Sequence, residues 1–276
     1  MEPICITSRS NPEVMLAASL LQKKYREQRG LFIAEGVKLF EEAVSSGVGI
    51  ERVYVSEKQK GTLLPIVFSA LGGSRYQNVP IFLLSEAAFE KISSENSPQG
   101  IITVINSLDI FKKCTKIYKK DFESEENSRA LALCSVRDPG NIGAILRSAV
   151  AFGYRSVILS SDCAELTSPK TVRAAMGALF KISLSVVSDF ASLFTSAREA
   201  GRRVLCAELS ERAVSLRELV PREGDVVVIG NEGHGIPAEL SRLADQSVYI
   251  PIAPNTESLN AAVAASVLLW ELGGKG

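Results

Sequence analysis

The 276-residue chain has one histidine, one tryptophan and five cysteines, and its 31 basic residues are balanced by 31 acidic ones. Each scarcity removes a class of function. With His234 alone, no site that needs two imidazoles can form. The cysteines (Cys5, Cys114, Cys134, Cys163 and Cys206) are scattered and include no C-x-x-C pair. Neither a structural zinc site nor a disulfide framework is expected, and a reducing compartment fits. Charge is balanced within residues 1–106, 107–127 and 128–276 alike. Any nucleic-acid binding must then come from local clusters, not from a global field. Residues 1–10 lack the charged-then-apolar order of a signal peptide. No uninterrupted apolar stretch reaches about 18 residues, the length of a membrane span. The longest candidate, Leu259–Leu272, is broken by Asn260 and reads as a buried helix. A soluble cytoplasmic protein is the expectation.

What is present suits a globular α/β chain. Apolar residues make up 46% and charged residues 22%, enough for real cores and too little charge for disorder. At roughly 100–200 residues per domain, the length predicts two domains. In the first, Asn11 and Pro12 open an apolar period suited to a helix that Gly30 ends. "VKLFEEAVSSG" reads as a helix, "IERVYVSEK" as a strand, "PIFLLSEAAFEKIS" as a strand and helix, and "QGIITVIN" as a strand. One α/β domain over residues 1–106 follows. Residues 107–127, "SLDIFKKCTKIYKKDFESEEN", lose the apolar period and read as a charged linker. "KKCTKIYKK" within it is a solvated segment or an RNA-contacting strip. From residue 128 the alternation restarts. The continuous apolar strands there, Val226–Ile229 above all, suit a parallel sheet covered on both faces.

Three stretches at the C-terminal ends of predicted strands carry the chemistry, where open α/β sheets bind ligands. In "DPGNIGAILR", Gly140 and Gly143 permit close backbone approach and Asn141 can cap a helix. Arg147 follows Asn141 by roughly one and two-thirds turns and can lean back toward the helix start. By itself this is equally a capped helix with a surface arginine. In "IGNEGHGIP", a strand runs into Gly230, Glu232, Gly233, His234 and Gly235, a backbone wrapped on a ligand or a plain strand–helix turn. "GHGIPA" matches the loose dinucleotide pattern G-x-G-x-x-A. The remaining chain holds one strand and one helix, too little to complete a nucleotide crevice. No GK[ST] occurs, which excludes a P-loop. In "IPIAPNTESLNAAVAA", Ser258 reads as a helix cap, and Asn260 stands unexplained at the head of an alanine-rich helix.

Taken together and in this order, the three stretches resemble the SpoU (TrmH-type) family of knotted RNA methyltransferases. The resemblance spans about Ala130 to Leu272. It rests on Asn141-x-Gly143-x-x-x-Arg147, on Gly230-x-Glu232-x-x-Gly235, and on Ile250-Pro251 followed by Ser258-Leu259-Asn260. "SPKTVRAAMGALFKI" is similar to the family's linking helix, and residues 4–106 are similar to its L30e-like substrate-binding domain. The resemblance implies a parallel sheet with a trefoil knot, a homodimer, and bound S-adenosylmethionine held around Gly230, Gly235, Ile250 and Leu259. It implies methyl transfer to a ribose 2′-hydroxyl of structured RNA, with ribosomal RNA favoured over transfer RNA by the separate first domain. Asn141, Arg147, Glu232, Ser258 and Asn260 are the implied catalytic set. Arginine is almost always charged in proteins, so stabilising an alkoxide or fixing a phosphate suits Arg147 better than deprotonation. Lys23, Lys24, Arg26, Arg29 and Arg173 are the candidate RNA contacts. No metal is implied. The chain departs from the family at Pro254, where many members have glycine, and at "NAAVAA" in place of "NVSVAA". A catalytically silent RNA-binding protein of the same fold is the alternative that the intact polar set speaks against.

Overall fold

The computed structural model describes residues 2–73, 75–123, 129–256 and 258–273. It divides into two compact units, Met1–Ile110 with Leu166–Phe180, and Phe111–Glu165 with Lys181–Gly276. In chain order the first stretch holds β1 (Ile4–Ile6), α1 (Pro12–Ser19), α2 (Lys23–Arg29), β2 (Leu31–Glu35), α3 (Val37–Ser45), β3 (Ile50–Ser56), α4 (Lys60–Leu71), β4 (Ile81–Leu84), α5 (Glu86–Ile92) and β5 (Ile101–Asn106). There follow β6 (Phe111–Cys114), β7 (Ala130–Leu133), α6 (Pro139–Ala151), β8 (Ser156–Ser160), α7 (Pro169–Ala175), β9 (Ser183–Val187), α8 (Ser192–Glu199), β10 (Val204–Ala207), β11 (Ala213–Ser215), β12 (Val226–Ile229), α9 (Ala238–Ser241), β13 (Gln246–Tyr249) and α10 (Ala261–Leu272).

The first unit is built on a mixed sheet in the order β1-β4-β3-β5-β2. β1 and β3 flank β4 in parallel, while β5 is antiparallel to both β3 and β2. The helix expected to run from Asn11 to Gly30 breaks in two. Asn11 does cap α1, its Oδ1 accepting from Glu13 N at 2.9 Å. The chain then turns at Leu20–Gln22, and the Arg26 guanidinium, 5% exposed, donates to the Leu20 carbonyl at 2.8 Å. The single apolar period concealed that break because an arginine inside it looked like a solvated residue. The linking helix expected over "SPKTVRAAMGALFKI" stops at Ala175, since Met176 and Gly177 both turn left-handed. α7 packs on β2, and Arg173 is ion-paired with Glu95, which is why this segment belongs to the first unit.

The second unit is an eight-stranded sheet in the order β11-β13-β10-β12-β7-β8-β9-β6, and every pairing is parallel. Its central strands are buried on both faces: all four residues of β7 and of β12 lie in the interior. Each valine so covered contributes about 1.5–3 kcal/mol relative to an exposed one. The stretch 107–127 differs from the expected linker. Phe111–Cys114 joins the sheet as its edge strand on β9, and Phe122 enters the core. Residues 124–128, at its end, lie outside the described residues. The last strand, β13, lies between β10 and β11, and the chain then doubles back so that α10 packs on α6 and meets β12. The register sets Leu133 beside Ile229, Ile229 beside Ala207, and Ala207 beside Val248. The loops after β7, β12, β10 and β13 therefore leave from one edge of the sheet.

Candidate active site

The loop after β7 starts α6 earlier than the sequence suggested. Asp138, not Asn141, is the N-cap: its Oδ1 accepts from Asn141 N at 2.9 Å, and Pro139 takes the first helical position. The Asp-Pro pair was the available signal. With the cap supplied elsewhere, the Asn141 side chain is released for other bonds. Its Nδ2 donates to Glu232 Oε1 at 2.9 Å, and its Oδ1 accepts from Asn260 Nδ2 at 3.0 Å. Glu232 also accepts from the backbone N–H groups of Arg137 (3.1 Å) and Asp138 (3.2 Å). Partial burial works against its charge. The hydrogen bonds from Asn141 and the two backbone groups outweigh burial and hold Glu232 below the usual carboxylate range.

Asn260, unexplained from the sequence, is the N-cap of α10. Its Oδ1 accepts from Ala262 N at 2.9 Å and Val263 N at 3.3 Å while its amide reaches Asn141. Ser258, expected as the cap, is exposed beside the neighbouring cleft instead. An unbroken chain of hydrogen bonds thus joins the heads of α6 and α10 through Asn260, Asn141 and Glu232. Arg147 is not part of it. It lies exposed on α6 and has no hydrogen-bond or ion-pair partner among the described residues. Free of internal bonds, its five donors are open to an external anion.

Three supporting residues escaped the sequence reading. Ser135 adopts a left-handed backbone conformation (φ 56°) at the end of β7. Its N–H donates to Ser160 Oγ at 2.8 Å and its Oγ to Asp162 Oδ2 at 2.7 Å. Asp162 also accepts from Ser160 Oγ at 2.6 Å and from the Arg137 guanidinium at 2.7 Å. Burial opposes its charge, but the Ser160 and Ser135 hydroxyls and Arg137 prevail and keep Asp162 low. Asn231 ties the second loop to the first: Nδ2 donates to the Ser135 carbonyl at 2.7 Å, and Oδ1 accepts from Gly233 N and His234 N. An Asx turn before glycine was its signal. His234 itself is exposed.

Gly230 and Gly235 serve the loop's own fold. Asn231 and Gly235 exchange backbone hydrogen bonds of 2.9 and 3.0 Å, closing the loop on itself. A Cβ on Gly230 would fall 2.4 Å from the Gly235 carbonyl carbon. The space where a side chain would stand at Gly230 is thus filled by the loop's own backbone, and neither glycine is among the residues lining the adjacent cleft. Ile250 and Leu259 do line it, with Glu208, Thr256, Ser258 and a run of apolar residues. The cleft holds about 560 Å³, within the size range of cofactor sites. Pro254 forms part of its wall. Glu257, in the same segment, lies outside the described residues. Among the described residues no cluster of His, Cys, Asp and Glu could hold a metal. Burial pushes the Cys134 thiol up to about 11 and Cys206 to about 12, which makes both inert as nucleophiles.

Of the residues expected to meet RNA, Lys23, Lys24 and Arg29 are exposed at the two ends of α2. Arg26 is turned inward onto Leu20, and Arg173 is engaged by Glu95. The first is therefore a fold-stabilising residue, the one buried side chain of α2.

An all-parallel sheet with a polar loop network and an apolar cleft at one strand edge defines a ligand-binding α/β domain. The chain belongs to the SpoU rRNA Methylase family, whose model matches residues 128–270. Residues 11–103 match an MRM3-like substrate binding domain. Over 96% of its length the chain is 30% identical to an uncharacterized tRNA/rRNA methyltransferase of Synechocystis, covering 92% of that protein. It is 29% identical to the Bacillus subtilis 23S rRNA (guanosine(2553)-2′-O)-methyltransferase RlmP, over 98% of this chain and 99% of that one. An AdoMet-bound rRNA methyltransferase from Sinorhizobium meliloti superposes with a TM-score of 0.82 at 29% identity, covering 97% of this chain and 96% of that one.

Proposed function

We propose that this methyltransferase uses S-adenosylmethionine to methylate a ribose 2′-hydroxyl of structured RNA, of the 23S ribosomal type. The observation that carries the reading is the Asn260–Asn141–Glu232 chain beside the cleft of about 560 Å³. The cleft fits the cofactor chemically: apolar walls suit an adenine ring, and Glu208, Thr256 and Ser258 supply polar partners. When bound, S-adenosylmethionine supplies the electrophilic methyl group. The protein must hold the ribose, help the hydroxyl shed its proton and fix the adjoining phosphate. Glu232 is a poor base here, since both of its oxygens already accept bonds and its carboxylate is held charged. Its work is to hold the loop after β7 in place. Arg147, unpaired among the described residues, grips phosphate or stabilises the developing alkoxide. Ser258, at the mouth of the cleft, orients the substrate.

The first unit is the RNA-binding part of this reading, supported by the substrate-binding-domain match over residues 11–103. Lys23, Lys24 and Arg29 are its phosphate contacts, and their contribution weakens as salt rises. A homodimer is the working form: Val263, Val267 and Trp270 form an exposed apolar stripe on α10, with Trp270 68% exposed. Among the described residues no helix is long and apolar enough to cross a membrane, and the bacterial rRNA-modifying relative supports a cytoplasmic setting. Mapping 2′-O-methyl positions in ribosomal RNA from cells with and without the protein tests the reading. A site lost with the protein and restored by it is expected. An unchanged map, together with no calorimetric binding of S-adenosylmethionine, overturns it.

A further inference from the structure

Glu208 follows β10 and lines the cleft, where no other lining residue among those described is acidic or basic. It is held in an asymmetric way. The hydroxyls of Ser241, on α9, and Ser247, in β13, both donate to Oε1, each at 2.6 Å. Both serines are buried, at 8% and 4% exposure. Oε2 receives no hydrogen bond from any described residue. One oxygen is thus clamped and the other left to the cleft. A carboxylate whose role was to tie β10 to β13 and α9 would gain by spreading its two donors over both oxygens, since each oxygen has two lone pairs to satisfy. An apolar cleft gains nothing from an unpaired carboxylate oxygen, which costs free energy once a ligand strips its water.

We propose that Glu208 recognises the ribose hydroxyls of the adenosyl group. The serine clamp fixes the carboxylate, and Oε2 accepts hydrogen bonds from the neighbouring 2′- and 3′-hydroxyls. Neutral hydroxyl donors suit this position because binding them does not require a second ion to be stripped of water. The inference rests on the S-adenosylmethionine reading of the cleft and names which atom of this chain grips which part of the ligand.

Calorimetry on the full chain tests it without any RNA or turnover. S-adenosylhomocysteine, 5′-methylthioadenosine (ribose kept, amino acid absent) and 5′-methylthio-2′,3′-dideoxyadenosine are titrated into wild type, E208Q and E208A. E208A is expected to weaken the first two by on the order of ten- to a hundredfold, the loss of a hydrogen bond to a charged group. The dideoxy compound is expected to bind all three proteins within about twofold of one another. E208Q keeps an acceptor for the serines, so it preserves the fold if E208A does not, and its losses fall between. Equal losses for the ribose and dideoxy compounds overturn the proposal, because Glu208 then acts only through the shape of the cleft. Losses confined to S-adenosylhomocysteine overturn it in favour of the ammonium group, and no loss in either variant overturns it outright. Failure of wild type to bind any of the three removes the cofactor reading itself, a different result from each of these.

Discussion

The two units use buried polar groups in opposite ways. In the first, Arg26 closes the turn between α1 and α2, and Arg52 bonds Glu13 at 2.6 Å while the Tyr54 hydroxyl donates to the Glu13 carbonyl. These bonds join neighbouring elements and end there; burial pushes the Tyr54 hydroxyl well up from its ordinary range. In the second, Arg203 and Asp225 form one such internal pair, 12% and 4% exposed. A further group of its polar side chains lies at the sheet's C-terminal edge beside solvent, where Asn141 bonds Glu232 and Asn260, and Ser135 bonds Asp162. A mixed sheet can be finished by its own contacts. A parallel sheet collects its loop ends at one edge, and the polar groups there hold loops for something that binds.

The contrast can be broken by substitution, beginning with the largest effect. Arg147→Ala should cut methyl transfer on the order of 10²–10³-fold, the usual loss of one group that stabilises transition-state charge. It should leave the melting temperature and S-adenosylmethionine affinity unchanged, and retained activity in a single-turnover assay would remove Arg147 from the site. Asp225→Ala leaves Arg203 buried without its partner and should cost about 3–5 kcal/mol in urea unfolding. Arg26→Ala should cost about 1–3 kcal/mol by leaving the Leu20 carbonyl unpaired, with cofactor affinity unchanged by calorimetry. A change in that affinity would mean the first unit's polar groups are not purely internal. Asn260→Ala removes the α10 cap at about 1 kcal/mol and should lower activity more than stability, because Asn141 loses its partner as well.

The smallest effect expected is on acid stability. Glu232 and Asp162 both sit below their ordinary values of 4.5 and 3.8 in the folded protein. A depressed carboxylate adds stability that is complete above the unfolded-state value and is lost as pH falls through the folded-state value. The contribution should therefore be full near neutrality and fade below about pH 4.5. Glu232→Gln should flatten that part of the stability–pH curve, and a curve identical to wild type would refute the charge-holding role.

Much of this was legible beforehand. The continuous apolar runs at Val226–Ile229 and Ala130–Leu133 announced a parallel sheet because burial on both faces removes alternation. Asn141, Glu232 and Asn260 could be picked out of the sequence as candidates, but the bonds that join them could not, since the role left to Asn141 depends on Asp138 and Pro139 upstream. β6 was hidden because an edge strand reading Phe-Lys-Lys-Cys is half exposed and pairs on one side only. The placement of Leu166–Phe180 with the first unit was hidden because a seven-residue helix carries no mark of the partner it packs on. Arg26 was hidden because charge predicts exposure unless a buried carbonyl waits for it.

Gly230 and Gly235 lie five positions apart in one loop, yet a saturation library would treat them very differently. At Gly235 the conformation is left-handed (φ 67°) and the space beyond is open, so asparagine and aspartate should survive selection there at a modest penalty. At Gly230 the obstacle is backbone on the far side of the loop, 2.4–2.7 Å from any added carbon, and alanine is already as bad as tryptophan. One column of that library should be graded by chemistry, and the other should be blank.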